Sequence, residues 1–325
     1  MVSSILGKSI VESRAPRAAA GRGEKQPVAS IACAGVVAAD LVFAVPRLPD
    51  KPLKYRANAS ALVAGGCAVN AAAAVARLGG RAFLMGAVGD DAFGAMIRAE
   101  MAAEGVDCAT LTVADAPTAR SAVLSAADGE RMLVNHRDPA LFAATPTIPA
   151  PFPYDGALAD TRWPAGAAAL LTAARAAGRP GVLDAEAPTD VAAAALAAAS
   201  HVAFSEQGLA AFTGLDDARA GLAEAAARLG KWVCVTRGPA PVLIHDGAAV
   251  SEAAAFAVTA VDTLGAGDVW HGAFALFLAE GLDPARAARR ANAVAALKAS
   301  AFGGRAALPD RARLESFMRE RHAWA

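Results

Sequence analysis

Two spacings of apolar residues alternate along this chain. Beyond Pro153, short apolar runs at 156–159, 181–184, 202–204 and 232–236 have strand length. They are separated by alanine-rich stretches at 165–177, at 190–199 and on to Leu229 that are long enough for helices. Strands that alternate with helices predict a parallel sheet covered on both faces. Ahead of that region, 28–37 reads as a buried first strand and 83–88 as another. Gly65-Gly66 opens a helix running to about Leu78, where Gly79-Gly80 stops it. The run Gly89-Asp90-Asp91-Ala92-Phe93-Gly94 leads into a helix to Glu104, capped by Asp90 or Asp91 and burying Phe93. Asp283-Pro284 starts a helix to about Ser300, whose Arg286, Arg289 and Arg290 form a solvated face.

Two segments break this rhythm. Residues 41–62 alternate irregularly through Pro46, Pro49 and Pro52, and 119–126 and 131–135 read as strands about Asp128-Gly129, a strong hairpin signal. Together, at about 41–62 and 118–136, they predict a small β lid inserted into the main domain. A second hairpin is expected from 242–244 and 250–256 about Asp246-Gly247. Residues 1–27 carry Lys8, Arg14, Arg17, Arg22 and Lys25 against Glu12 and Glu24 with no periodicity, and read as a flexible extension to a domain spanning 28–325. Gly7-Lys8-Ser9 imitates the end of a P-loop, but Val2 stands where its first glycine is required.

Composition narrows the classes. A chain of 325 residues, 55% hydrophobic and 19% charged, buries a large core, and its formal net charge of +0 provides no field for nucleic acid or an anionic membrane. The four cysteines have no CxxC spacing, which argues against zinc or a disulfide framework and suits a reducing, cytoplasmic setting. No apolar run reaches the roughly 18 to 20 residues of a membrane span.

The richest stretch is Val261-Asp262-Thr263-Leu264-Gly265-Ala266-Gly267-Asp268. After it Val269, Trp270, Ala273, Phe274, Phe277 and Leu278 recur at helical spacing, and Gly281 supplies a stop, so a helix is expected from Asp268. The small residues before it free main-chain N–H groups for an anion at the positive end of the helix dipole. Asp268 is then either an N-cap or a carboxylate placed to accept a proton during phosphoryl transfer. A nucleotide-binding dehydrogenase is disfavoured, because no Gly-x-Gly-x-x-Gly follows the first strand.

Asp262-Thr263-Leu264-Gly265-Ala266-Gly267-Asp268 resembles the C-terminal signature of the ribokinase-like (PfkB) sugar kinases, and the similarity runs from about residue 28 to the end. The resemblance implies a three-layer α/β/α sandwich with a central mostly parallel sheet and a small β-sheet lid. It implies ATP and Mg²⁺, with Asp268 as catalytic base and the amides of Gly265, Ala266 and Gly267 as anion hole. It leaves open whether a monovalent cation assists. Asp40, Gly65, Gly66 and Asn70 would bind the sugar; a carboxylate accepts two hydroxyls, and an amide both donates and accepts. Thr236 and Gly238 would meet nucleotide phosphates or ribose, and Asn292 and Gly304 would pack about adenine. Lid strands that pair between subunits in this family imply a homodimer. Where many relatives carry Asn-x-x-Glu, this chain has Ser205-Glu206-Gln207-Gly208, so Glu206 is expected to reach Mg²⁺ only through water.

Leu158-Ala159-Asp160-Thr161-Arg162-Trp163, Ala203-Phe204-Ser205-Glu206, and Val294 to Lys298 with Gly303-Gly304-Arg305 are similar to the sulfofructose kinases, which phosphorylate the C1 hydroxyl of 6-deoxy-6-sulfofructose. Under that resemblance Lys54, Asn135 and Arg162 would grip the sulfonate, a permanent anion suited to a guanidinium fork, an ammonium and an amide. The alternatives are an Arg162 paired internally with Asp160, Asp184 or Glu186, and an acceptor that is a neutral or phosphorylated sugar or a nucleoside. A non-catalytic sugar-binding regulator on the same fold is a further alternative.

Overall fold

A computed structural model describes residues 28–126 and 130–321; the N-terminal extension and the Asp128-Gly129 turn lie outside the described residues. The first strand, β1 (Ser30–Ala34), is short because Gly35 turns the chain out of the sheet. A Cβ at Gly35 would lie 1.9 Å from Asp160 Oδ2, and that same oxygen accepts from Val36 N at 2.9 Å. The chain then enters the lid as β2 (Ala38–Val45) and β3 (Ala59–Gly65). Pro46, Pro49 and Pro52 are confined to the loop between these two strands, and Asp40 sits on β2 itself.

The main domain resumes with α1 (Cys67–Arg77), β4 (Arg81–Gly89), α2 (Ala92–Ala103), β5 (Val106–Asp107) and β6 (Leu111–Ala114). The chain crosses the lid again as β7 (Ala119–Ala126) and β8 (Arg131–His136). The regular alternation follows: β9 (Gly156–Asp160), α3 (Pro164–Ala176), β10 (Gly181–Ala185), α4 (Ala193–Ala198), β11 (His201–Ser205), α5 (Glu206–Thr213), α6 (Ala218–Leu229) and β12 (Trp232–Arg237). The antiparallel strands β13 (Ala240–His245) and β14 (Val250–Ala253) precede α7 (Ala266–Ala279), α8 (Pro284–Ala299) and α9 (Arg311–Glu320).

The large sheet runs β14-β13-β12-β11-β10-β9-β1-β4-β5, with β6 also on β4, parallel except at β13 and β14. Because strand side chains alternate, each strand feeds two cores. Ile31, Cys33, Leu158 and Val182 pack against α1, α7 and α8, while Ala32, Ala34, Ala159 and Leu183 pack against α3, α4 and α6. Asp160 and Asp184, two residues beyond Leu158 and Val182, therefore point to the α1 and α7 side at the carboxyl ends of their strands.

The lid is a four-stranded sheet, β3-β2-β7-β8, with β2 and β7 parallel and both edges antiparallel. Its register sorts side chains into rows. Asp40, Ser121 and Asn135 lie opposite one another on one face, and Leu62, Leu41, Ala122 and Val134 on the other.

Candidate active site

The site is built where α1 crosses α7. Gly272 makes that crossing possible, since a Cβ there would lie 2.4 Å from the Ala71 carbonyl oxygen. At this spacing Asn70 Nδ2 donates to Asp268 Oδ2 at 2.7 Å. The helix starts two residues earlier than expected: Gly265, at φ 71°, is the N-cap and α7 begins at Ala266. Asp268 is therefore the third helical residue, in the first turn, and its side chain does not cap the helix. Ala266 N donates to Thr263 O at 3.2 Å, so its amide is engaged in the turn. The main-chain donors of Gly265 and Gly267 have no acceptor among the described residues. The predicted three-amide cradle is corrected to those two donors.

Beneath Asp268 lies a group of buried ionisable side chains. Cys67, Asp184 and Asp268 each offer a ligand atom within 4.8 Å of the other two. Asp184 Oδ2 lies 3.3 Å from Nδ1 of His271, one turn along α7 from Asp268. Asp160 is held by two amides, Val36 N at 2.9 Å and Arg162 N at 2.8 Å. Asp268 is half-exposed as a residue, but protein packs closely about its carboxyl. Loss of water raises its pKa to about 6, Asn70 and Cys67 act in the opposite sense, and the charges of Glu186 and Asp40 push it further up. Burial raises Asp160 to about 6 and Asp184 well above the usual carboxylate range, and lowers His271 to about 4. The thiol among these carboxyls makes a poor seat for Mg²⁺, which takes oxygen.

The predicted sugar-binding residues split into two sets. Asp40, Gly65, Gly66 and Asn70 come together: a Cβ on Gly65 would lie 1.9 Å from Asp40 Oδ2, and Gly66, at φ 102°, is the N-cap of α1 against Val36 O. Desolvation raises Asp40, and its hydrogen bond with Ser121 pulls the other way. Ser121 was not anticipated, because only the β2 to β7 register places it beside Asp40. Asn135 extends this row but is exposed, and Lys54 is exposed in the loop between β2 and β3. Arg162 is internally paired, donating to Glu186 Oε2 at 2.8 Å and to Ala187 O at 2.6 Å, so its fork is not the free anion clamp expected of it. It lines a cavity of about 280 Å³ together with Arg137, Phe142, Thr161, Pro164, Pro188 and Val191. Arg137, which the sequence did not single out, has no ion-pair partner among the described residues.

The predicted nucleotide residues fare unevenly. Thr236 ends β12 and its hydroxyl donates to Phe204 O at 3.3 Å, while Gly238, at φ 55°, turns β12 into β13. Gly304 N donates to Asp262 Oδ2 at 3.0 Å, which ties the 303–304 turn to the glycine-rich loop. Asn292 is a correction. It is buried, its Oδ1 accepts from Trp270 Nε1 at 2.7 Å, and its Nδ2 donates to the carbonyls of Ala253 and Ala254. Both its donors are spent on the main chain and its oxygen already serves the indole, so it satisfies groups in the core. Glu206 opens α5 with its carboxylate exposed and 3.4 Å from Arg237 Nε, a position compatible with holding Mg²⁺ through water.

The profile of the pfkB family carbohydrate kinases matches residues 28–311. A fructokinase of Klebsiella pneumoniae is 34% identical over 273 residues, covering 75% of this chain and 88% of that protein. A crystal structure of an Agrobacterium tumefaciens protein provisionally named a ribokinase is 36% identical, with a TM-score of 0.88 over 92% of this chain and 100% of that one. An Arabidopsis thaliana ribokinase complexed with ribose and ATP, 24% identical with a TM-score of 0.77, covers 90% of this chain and 99% of its own, and shares the fold. Matches to other curated relatives are short: this chain covers 24% of a rice fructokinase and 29% of a Bacillus subtilis ribokinase.

Proposed function

We propose, because this chain belongs to the pfkB family of carbohydrate kinases, that it transfers the γ-phosphoryl group of ATP to a hydroxyl of a small sugar. The observation that carries this reading is the Asp268 carboxylate, hydrogen-bonded by Asn70 and set in the first turn of a helix beside the unpaired amides of Gly265 and Gly267. A sugar hydroxyl beside Asp268 gives up its proton to the carboxylate as its oxygen bonds to the γ-phosphorus. The bond from that phosphorus to the bridging oxygen breaks, and ADP leaves with the electron pair. The Gly265 and Gly267 N–H groups face the charge that gathers on the phosphoryl oxygens. Glu206 would hold Mg²⁺ through water, and the ion would supply charge neutralisation on the nucleotide phosphates. Asp40, steadied by Ser121, accepts hydroxyls of the sugar ring, and the lid keeps water from competing as acceptor.

The finer reading is that the acceptor is 6-deoxy-6-sulfofructose, phosphorylated on its C1 hydroxyl. It is supported by Lys54 and Asn135 on the lid and by the two guanidinium groups facing the cavity at Arg137 and Arg162. The Arg162 to Glu186 pair favours a second reading, a neutral ketose or pentose, in keeping with relatives named fructokinase and ribokinase. The test is ADP release with fructose, ribose, fructose 6-phosphate, adenosine and sulfofructose. Turnover with none of them, alongside measurable sugar binding, would instead indicate a regulator. Arg162→Ala separates the acceptors: loss with sulfofructose alone supports an anion clamp, and equal loss with fructose removes it.

The lid also supports a homodimer. Leu62, Leu41 and Val134 lie in one row and are 45%, 40% and 68% exposed, an apolar stripe suited to a second copy of the chain. Leu41→Glu is expected to leave a monomer in light scattering, and an unchanged mass would remove this interface.

A further inference from the structure

A triphosphate arriving beside Asp268 meets acids. Asp160, Asp184, Glu186 and Asp40 all stand near enough to influence Asp268 or one another electrostatically. Lys298, the core cation beside the glycine-rich loop, is already committed: its Nζ lies 3.1 Å from Asp262 Oδ2 and donates to Asp262 O at 2.9 Å. Moving a phosphoryl group requires positive charge over its oxygens. Two backbone amides supply only part of that.

The lid brings the missing charge. Arg131 opens β8 opposite Ser125, at the closed end of the lid hairpin, and its Nη2 donates to Thr263 Oγ1 at 2.9 Å. Thr263 also supplies the carbonyl that closes the turn onto Ala266, so the guanidinium lies against the loop that carries the unpaired donors. Thr263 is its one hydrogen-bond partner seen among the described residues, and most of its N–H groups remain available. Arg131 also comes close enough to Lys298 to lower that lysine's pKa, which burial lowers first and Asp262 raises. Two cations turned toward one loop are stable together when an anion lies between them.

Resting on the kinase reading above, we propose that Arg131 is a catalytic residue, carried by the lid and bonded through its free guanidinium N–H groups to the γ-phosphoryl group in transfer. The lid then performs a second task besides excluding water: a lid that has not closed leaves the phosphoryl group without its cation. Sugar binding and phosphoryl transfer are coupled through one hairpin, because the row holding the sugar, Asp40, Ser121 and Asn135, runs across the same strands.

The test compares wild type with Arg131→Ala, Arg131→Lys and Thr263→Ala on the best sugar of the panel. An arginine placed on a transferring phosphoryl group is worth about 10³ to 10⁵ in kcat in other phosphoryl-transfer enzymes. Arg131→Ala is expected to lose at least about 100-fold in kcat while its sugar Kd and melting temperature stay near wild type. Added guanidinium should restore part of the rate, Arg131→Lys should fall between the two, and Thr263→Ala, which removes only the latch, should lose less than about 10-fold. ADP with aluminium fluoride and sugar, a mimic of the transferring phosphoryl group, should bind wild type tightly and Arg131→Ala weakly, while ADP alone binds both equally. Wild-type turnover matched by Arg131→Ala would overturn this inference and leave the kinase reading standing. Equal losses in Thr263→Ala and Arg131→Ala without guanidinium rescue would reduce Arg131 to a latch and also overturn it. No turnover by wild type on any sugar would overturn the kinase reading itself, and this inference with it.

Discussion

The two walls of the site are built on opposite principles. The sheet edge presents Asp160, Asp184 and Asp268, fixed by buried strands and by a helix crossing so close that a methyl group would not fit. The lid segments, 38–65 and 119–137, carry seven Lys or Arg residues against four Asp or Glu in a chain of zero net charge, and most of their cations are exposed. Rigid acids suit the removal of a proton, which demands geometry. Exposed cations suit holding phosphate, sulfonate or hydroxyl groups that come and go. The contrast teaches that chemistry and selectivity occupy different layers and should respond differently to substitution.

The largest effect should come from the acid wall. Asp268→Asn keeps the shape and the contact with Asn70 but cannot accept a proton. A fall in kcat of about 10³-fold is expected, within the range of general-base contributions, with sugar affinity retained in calorimetry. A drop below tenfold would shift the proton acceptor elsewhere. For the intact enzyme the sign is set by the raised pKa: the base must be ionised, so kcat should climb with pH through about 6 and then level off. A flat profile from pH 5 to 8 would remove Asp268 from that step.

Packing should sharpen the contrast next. Gly272→Ala places a methyl group against the Ala71 carbonyl, and backbone cannot yield as a side chain does. Overpacking of this kind costs about 1–3 kcal/mol, visible as a lowered Tm, and the separation of α1 from α7 should also weaken the Asn70 bond and depress kcat. On the lid, Val134→Thr is expected to stay within about 0.5 kcal/mol in the monomer, being 68% exposed. Similar losses at both positions would refute the division.

The smallest effect concerns stability against pH. Asp160 and Asp268 have folded pKa values near 6, above their unfolded values, so the folded state holds these protons more tightly. Their contribution is fully present below about pH 4 and is lost as pH rises through about 6. Asp91 and Asp262 are shifted down and act in the opposite sense, at lower pH, through acceptor bonds to Thr118 and Gly94 and to Leu264 and Gly304. His201 and His271, which burial holds at about 4, oppose Asp160 and Asp268 in this window, because the unfolded imidazoles take up protons as pH falls below about 6.5. Asp160→Asn, which removes one of the two opposing carboxyls, is therefore expected to make the Tm fall more from pH 7.5 to pH 5.5 than it does in wild type, and an unchanged difference would remove the Asp160 contribution.

What the sequence made legible follows the same divide. The strand and helix alternation beyond Pro153, and the loop before α7, are local patterns, and they appear in the fold within a residue or two of expectation. The boundary of the lid was not local. Apolar residues run on from β1 into β2, and only Asp160, over a hundred positions later, explains why the chain turns at Gly35. Asn292 was read as a ligand contact from the family resemblance; its partner, the Trp270 indole, belongs to the neighbouring helix. Arg162 lines a cavity, and its pairing with Glu186 depends on how β9 and β10 end side by side. Arg131 and Ser121 gave no signal, since strand pairing alone brings them to the site.

The bond from Asn70 to Asp268 joins positions 198 apart in the sequence. A chain emerging from the ribosome displays its sugar-side glycines and its lid long before the proton acceptor exists. On the kinase reading, the site therefore stays incomplete until α7 has been made and folded back across the first helix.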